Sequence, residues 1–343
     1  MNVADSAKLE AVLAAAGYVP IQQFNNSTIQ QLDLILVNTC VVRQTAEDRA
    51  AWYITSLKNA KQENPKLKII LCGCLVSEPG RDVKKQFPHV DLFLPPNSSK
   101  ELAQYLNSSY VPRPTSFVPR PSSFVTIMTG CDNYCSYCVV PYVRGREQSR
   151  PMPEVLAEIK GLLEQGITDI TLLGQNVNSY KYNLALLLRE IHSFSIFNFS
   201  FLIKFLTSHP KDMSDEIIET VAELPFVVKE FVMPLQSGDD EILRAMNRGY
   251  TFDYYLNRVK KIRQLMPDAH LITDLIVGFP GETEEQFEKT IQALELCRFN
   301  DVHMFVYSER PMIAAAKLPN QVPEEVKQER LQRLIQANRE LLC

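Results

Sequence analysis

Residues 129–145 read TGCDNYCSYCVVPYVRG, which sets Cys131, Cys135 and Cys138 in a C-x-x-x-C-x-x-C spacing. Thiolates are soft ligands, and several of them in one short loop suit zinc or iron–sulfur chemistry. A structural zinc site asks for four ligands, usually as two separated pairs, yet no fourth cysteine or histidine follows at ligand distance. Three thiolates suit a four-iron cluster whose remaining iron stays open to a substrate. A zinc knuckle, or three unconnected buried cysteines, is the competing reading. Two more cysteines follow apolar runs of strand length: Cys40 in VNTCVVR after residues 32–37, and Cys74 in LCGCLVSE after residues 67–72. At the carboxyl ends of neighbouring parallel strands, two such thiols point to one side of the sheet and can share a ligand. Cys72 reads as the last core residue of its strand, with its side chain alternating away from that of a strand-end neighbour. Cys297 and Cys343 have no partner by spacing and read as structural.

The elements that must position these residues follow from periodicity. Leu9, Val12, Leu13 and Ala16 have helical spacing and lead to a stop at Gly17. A strand over 32–37, a helix from about Thr45 and a strand over 67–72 then form one β-α-β unit, which implies parallel strands. Residues 108–123, SSYVPRPTSFVPRPSS, lack apolar periodicity and read as an extended linker between domains. Beyond it, strands are expected at 124–128, 169–173, 201–206, 229–233, 270–277 and 301–306, with helices at 153–165, 212–223, 252–266 and 282–297. The fold class is therefore α/β: a parallel N-terminal domain, then a partial (β/α)6 barrel. The aromatic stretch over 193–205 is explained by a buried third barrel strand. The three-cysteine loop follows the barrel's first strand, on the side where such folds place active sites.

The ends of later strands carry Gln175 and Asn176, Ser208 and His209, Gln236 and Ser237, and then Gly278. Inward polar residues there are costly to bury unless something binds them; capping of the following helices is the competing reading. The glycines of GFPGE let the backbone approach a ligand closely. His89, His192, His270 and His303 show no ligand spacing. No apolar run approaches the roughly 18 to 20 residues of a membrane span, and no basic-then-apolar leader opens the chain. A reducing, cytoplasmic setting is expected, in which clustered cysteines read as metal ligands before disulfides. A net charge of −4 argues against gripping nucleic acid by bulk charge, which leaves a local basic patch open.

Five motifs carry a closer likeness: GCDNYCSYCVVPYVRGREQSRP, LLGQNVNSY, FLTSHP, PLQSGDDEILRAMNRGYT and LIVGFPGETEEQFEKT. Together they resemble the methylthiotransferase family of the radical S-adenosylmethionine (SAM) superfamily over nearly the whole chain, and LGQNVN is similar to its tRNA branch. The resemblance implies two four-iron clusters. Cys131, Cys135 and Cys138 would hold the one that cleaves SAM, with Tyr137 against the adenine; Gln175, Asn176, Ser208, Gln236, Ser237 and Gly278 would surround SAM, and Arg144 resembles a family arginine near the cluster. Cys40 and Cys74 would hold an auxiliary cluster that carries the sulfur to be inserted. One SAM would supply a methyl group and a second a 5′-deoxyadenosyl radical. The implied product is a methylthio group on carbon 2 of a dimethylallyl-modified adenosine at position 37 of tRNA. A threonylcarbamoyl-adenosine tRNA or a ribosomal-protein aspartate stays open as substrate, as does a remnant that cleaves SAM and modifies nothing.

The implied electron donor is a flavodoxin or ferredoxin, and a monomer is expected. The corresponding domains are residues 1–107 for the auxiliary cluster, 108–123 as linker and 124–343 for the radical SAM core. In the family a Gly-Cys-x-Met-Asn motif supplies a third auxiliary ligand; this chain opens MNVADS, which matches the residues just after that cysteine. It also stops before the family's small RNA-binding β-barrel (TRAM) domain. A chain shortened at both ends, with an auxiliary cluster lacking one ligand, is the expectation.

Overall fold

The computed structural model describes residues 2–21, 32–41, 44–107, 122–194 and 201–342. Nearly all of the expected linker, part of the aromatic stretch and Cys343 lie outside the described residues. The chain forms two compact units, Met1–Val118 with Val139–Gly145, and Pro119–Cys138 with Arg146–Cys343.

The first unit contains α1 (Asn2–Ala15), β1 (Leu34–Thr39), α2 (Gln44–Glu63), β2 (Lys68–Gly73), α3 (Val83–Gln86), β3 (Leu92–Leu94) and α4 (Ser99–Tyr105), and it takes α5 (Val140–Arg144) from later in the chain. The strands run parallel in the order β1-β2-β3, with Leu34 opposite Lys68 and Thr39 opposite Gly73. The expected β-α-β unit is present; β3, at three residues, is too short for periodicity to reveal. Leu9, Val12, Ile70, Cys72, Leu94 and Leu102 share a core that packs α1 and α4 on the sheet. At the carboxyl end of that sheet the Thr39 hydroxyl donates to the Cys72 carbonyl at 2.8 Å and accepts from Leu75 N–H at 3.3 Å. Gly73 has a φ of 100°, and a Cβ there would stand 2.4 Å from the Thr39 carbonyl oxygen. Only glycine lets the two strand ends approach this closely, and those ends lead to Cys40 and Cys74.

The second unit holds β4 (Ser122–Thr126), β5 (Met128–Thr129), β6 (Gln148–Ser149), α6 (Met152–Glu164), β7 (Asp169–Leu173), α7 (Leu184–His192), β8 (Leu202–Leu206), α8 (Asp215–Glu223), β9 (Glu230–Val232), α9 (Asp240–Ala245), α10 (Phe252–Leu265), β10 (His270–Val277), α11 (Glu284–Cys297), β11 (Asp301–Val306) and α12 (Glu324–Leu342). Two parallel sheets, β4-β7-β8 and β9-β10-β11, continue into one another where Ile203 N–H donates to Phe226 and Val228 N–H to Ile203, each at 2.8 Å. Six parallel strands thus follow one another as in a partial (β/α)6 barrel. One face of the strands (Ile170, Leu172, Ile203, Phe205, Phe231, Leu271, Leu275) joins Val155, Ile159, Leu188, Ile218, Val259 and Phe287 of the helices in a single core.

Three boundaries depart from expectation for local reasons. The first strand stops at Thr126 because Met128 and Thr129 pair antiparallel with Ser149 and Gln148, closing the excursion that carries the three cysteines. The helix expected from 212 starts at Asp215, since the Ser214 hydroxyl caps Ile217 N–H and Pro210–Asp212 forms a separate 3-10 turn. The helix expected from 282 starts at Glu284, where Thr283 and Gln286 form a capping box. No helix among the described residues is long and apolar enough to cross a membrane.

Glu282 has another use. Its carboxylate accepts from Gly278 N–H at 2.7 Å and pairs with Arg330 at 2.9 Å, with both side chains buried, and this ties α12 to the loop after β10. Burial raises the Glu282 carboxyl from 4.5 to about 7, against the opposing pull of Gly278 and Arg330. An acid raised on folding contributes stability that is fully present below its unfolded value and lost as pH rises through the folded one. Between pH 5 and pH 8 the protein should therefore lose on the order of 2 kcal/mol relative to a Glu282→Gln chain, measured by urea unfolding of both. Parallel pH profiles for the two proteins would refute this assignment.

Candidate functional site

The loop that carries Cys131, Cys135 and Cys138 is held at its base and along its length. Gly130 N–H donates to Gln175 Oε1 at 2.6 Å, so Gln175 fixes the point where the loop leaves β5. The turn after α9 forms its seat: Asn247 Nδ2 donates to the carbonyls of Asn133 and Tyr134, each at 3.0 Å, and the Ser136 hydroxyl donates to Ala245 at 2.8 Å. This clamp supports Tyr134 in the left-handed region, at a φ of 47°. Cys135 is buried, and Cys131 and Cys138 are half-buried. Burial raises the Cys131 thiol, and hydrogen bonds from Asn133 oppose that rise.

Arg248 reaches Cys135 from the same turn. It is 4% exposed, and Nη1 donates to Cys135 Sγ at 3.3 Å and to Tyr137 Oη at 3.2 Å. Nη2 donates to the Pro234 carbonyl at 2.7 Å and Nε to Tyr250 Oη at 3.0 Å. His209 Nε2 lies 3.9 Å from the same sulfur. Burial, aided by Arg248 and Lys211, pushes that imidazole down to about 2. Asn178 brackets His209 from both sides, donating to its carbonyl at 2.8 Å and accepting its N–H at 2.9 Å. Among the described residues no three His, Cys, Asp or Glu are gathered about a single metal-ion position. A cluster asks for a different spacing, because each thiolate binds its own iron. Three soft donors beside one fixed cation fit such a cluster.

The strand-end residues divide into two groups. Thr126 Oγ1, Asn176 Oδ1 and Gln236 Oε1 are buried without a hydrogen-bond partner. An unsatisfied buried acceptor costs about 1–3 kcal/mol, and Gln236 adds a φ of 77°. Such atoms at the carboxyl ends of parallel strands are ready to receive donors from a polar ligand, and SAM has suitable amino and hydroxyl groups. The second group is already satisfied. The Ser208 hydroxyl donates to the Val232 carbonyl, and Ser237 Oγ accepts from Asp239 N–H at 3.2 Å at the start of α9. Gly278, with a φ of 71°, lacks a Cβ because one would meet Lys327 Cγ at 2.3 Å; here glycine admits the stem of a helix lysine.

In the first unit Cys40 follows β1 and Cys74 opens the turn after β2. Cys74 is 1% exposed; burial raises its thiol, while Arg144, which hydrogen-bonds it, opposes the rise. Arg144 Nη2 also pairs with Asp5 Oδ2 at 2.8 Å, with both side chains about as buried as Cys74. Arg144, expected near the SAM cluster, thus stands on Cys74, because α5 packs on the turn Cys74–Ser77. Cys40 and Cys74 fit an iron–sulfur group as two of its ligands, with a cation on one sulfur and the partnerless Asp5 Oδ1 buried beside Arg144. Cys72 and Cys297 pack in the two cores, and burial pushes each thiol up to about 12, so both remain protonated.

The residues that sequence reasoning missed are Asn178, Asn247 and Arg248. Each lies inside a recognised motif, but its partner is far along the chain: Arg248 and Cys135 are separated by 113 positions. No local periodicity reports such a contact.

Comparisons with known proteins bear on the same residues. Residues 125–294 match the radical SAM superfamily, and residues 1–95 match the uncharacterized protein family UPF0004. A tRNA-2-methylthio-N(6)-dimethylallyladenosine synthase from Desulfitobacterium hafniense (strain Y51) is 40% identical, over 98% of this chain and 78% of that protein. A protein of the same name from Clostridium novyi (strain NT) is 40% identical, over 100% of this chain and 80% of its own length. Among solved structures, the radical S-adenosylmethionine methyltransferase TsrM from Kitasatospora setae, with cobalamin and a 4Fe–4S cluster bound, has a TM-score of 0.63 at 17% identity, over 83% of this chain and 66% of that one. This last likeness is one of fold.

The Arg144–Asp5 pair makes a direct prediction. Removing one partner of a buried ion pair leaves the other charge uncompensated, at a cost of about 3–5 kcal/mol. Arg144→Met should destabilise the full chain by that order in urea unfolding, and adding Asp5→Asn should recover part of the loss. An Arg144→Met chain as stable as the parent would mean that the pair does not form.

Proposed function

The chain belongs to the radical SAM methylthiotransferases, and from that premise we propose that it adds a methylthio group to carbon 2 of N6-dimethylallyladenosine at position 37 of tRNA. The observation that carries this reading is the three-cysteine loop at the head of the barrel, with a buried arginine on the sulfur of Cys135. Cys131, Cys135 and Cys138 would hold a four-iron cluster, which would supply the electron that cleaves SAM. Gln175 and Asn247 keep the loop in place, and His209 covers one side of Cys135. Asn176 Oδ1 and Gln236 Oε1, unsatisfied here, would accept hydrogen bonds from SAM, and half-buried Tyr137, hydrogen-bonded by Arg248, would face its adenine. Ser208, Ser237 and Gly278 support the strand-end segments beside these residues through their own contacts within the unit.

Cys40 and Cys74 hold the sulfur-carrying cluster, and Arg144, bound to Cys74, steadies it rather than SAM. Residues 1–107 would form the domain of that cluster, 108–123 the linker and 124–343 the radical SAM core, apart from Val139–Gly145, which belong to the first unit. The enzyme works in the cytoplasm as a monomer, with a flavodoxin or ferredoxin as electron donor and tRNA as substrate.

Mass spectrometry of tRNA nucleosides from cells with and without the gene tests the reading. Loss of 2-methylthio-N6-dimethylallyladenosine with accumulation of its unthiolated precursor is expected; loss of a methylthiolated threonylcarbamoyl-adenosine instead would contradict it. In the purified protein, Cys135→Ala should abolish 5′-deoxyadenosine formation, and persistent formation would rule out the radical SAM site.

A further inference from the structure

Arg248 is a cation buried away from water, and the groups acting on its charge are Tyr137, Tyr250 and Cys135. Among the described residues no carboxylate pairs with it. A buried charge without a carboxylate partner is expensive, so this site is built for negative charge at the sulfur that Nη1 contacts, Cys135. The guanidinium is aimed without help from the sulfur: the Pro234 carbonyl holds Nη2 and Tyr250 Oη holds Nε, while Tyr250 is in turn fixed by donating to the Leu235 carbonyl at 2.8 Å. The remaining nitrogen, Nη1, is directed at Cys135 Sγ and Tyr137 Oη.

We propose that Arg248 is the positioning residue that sets the reduction potential of the cluster held by Cys131, Cys135 and Cys138, through an N–H···S hydrogen bond and a fixed positive charge at Cys135. A cluster held by three thiolates gains one negative charge when it takes up its electron. Hydrogen bonds to the sulfurs and local charge are the protein's levers on that step. A cation that cannot leave favours the reduced form, and the planar fork of arginine lets one nitrogen serve the sulfur and the tyrosine together. The inference rests on the cluster site of the proposed function, and iron content and potential report on the two separately.

The test is a potentiometric titration, followed by low-temperature EPR, of the anaerobically reconstituted full chain with Cys40 and Cys74 replaced by alanine, so that one cluster reports. Arg248→Gln and Arg248→Met remove the charge, and Arg248→Lys keeps it. In neutral variants that still bind about four irons, the equilibrium constant for reduction should fall at least about tenfold, or 59 mV for one electron. Arg248→Lys should remain within about threefold of the parent. Iron retained by the lysine variant and lost from both neutral ones also supports the proposal. Neutral variants within threefold of the parent, a lysine variant as low as the neutral ones, or iron lost from all three would overturn it. So would weakened SAM binding with an unmoved potential, because Arg248 would then serve SAM. An iron-free parent would instead refute the cluster site itself.

Discussion

Burying a sulfur that is to carry negative charge demands a cation close by that cannot drift into water. Both units of this protein meet the demand with one arginine on one cysteine, and they do so differently. At Cys74 the arginine is shared with Asp5, so the local charge is largely balanced before any cluster is considered. At Cys135 the arginine is held by a carbonyl and a tyrosine hydroxyl, so its full charge remains for the sulfur. The first arrangement suits a centre that stores a group, and the second suits one that must accept an electron.

The rest of the second unit can be understood as the means of keeping that charge in place. Arg248 sits at the end of a six-residue helix, and the same turn supplies Asn247 to clamp the backbone of the cysteine loop. Ser237 joins the start of that helix to Thr290 of α11, and Gly238 permits the close approach, since a Cβ there would meet the Lys289 carbonyl at 2.3 Å. Tyr134, Thr207, Gln236 and Asn247 all have positive φ, although none is glycine. Non-glycine residues hold such conformations only where their surroundings over-determine them, and all four lie in the segments after strands or in the loop seat.

How much of this could be read from the sequence follows from what each feature depends on. β10 and β11 match their expected limits because their periodicity is local, and so does β7. Cys72 packs in the core as the sequence suggests, but alternation is not what separates it from Cys74, which is two residues on; the strand ends at Gly73, whose φ of 100° turns Cys74 into the following 3-10 turn. Helix starts were misjudged at Ser214 and Thr283, where one hydroxyl decides the boundary. Gly278 was legible as a special position, but the atom that fills its space comes from α12. Arg144 follows Cys138 closely in sequence and was expected at the same cluster; the short helix that carries it packs instead on the turn after β2. Arg248 stood in plain view inside a motif, and its meaning depended on a contact across half the barrel sequence.

Everything above depends on Cys131, Cys135 and Cys138 holding a four-iron cluster with one iron open to SAM. The most direct measurement is the low-temperature EPR spectrum of the reduced, reconstituted full chain, with Cys40 and Cys74 replaced, recorded before and after SAM is added. About four irons per chain and a spectrum that changes when SAM binds are expected. A cluster whose spectrum is indifferent to SAM would contradict this assignment.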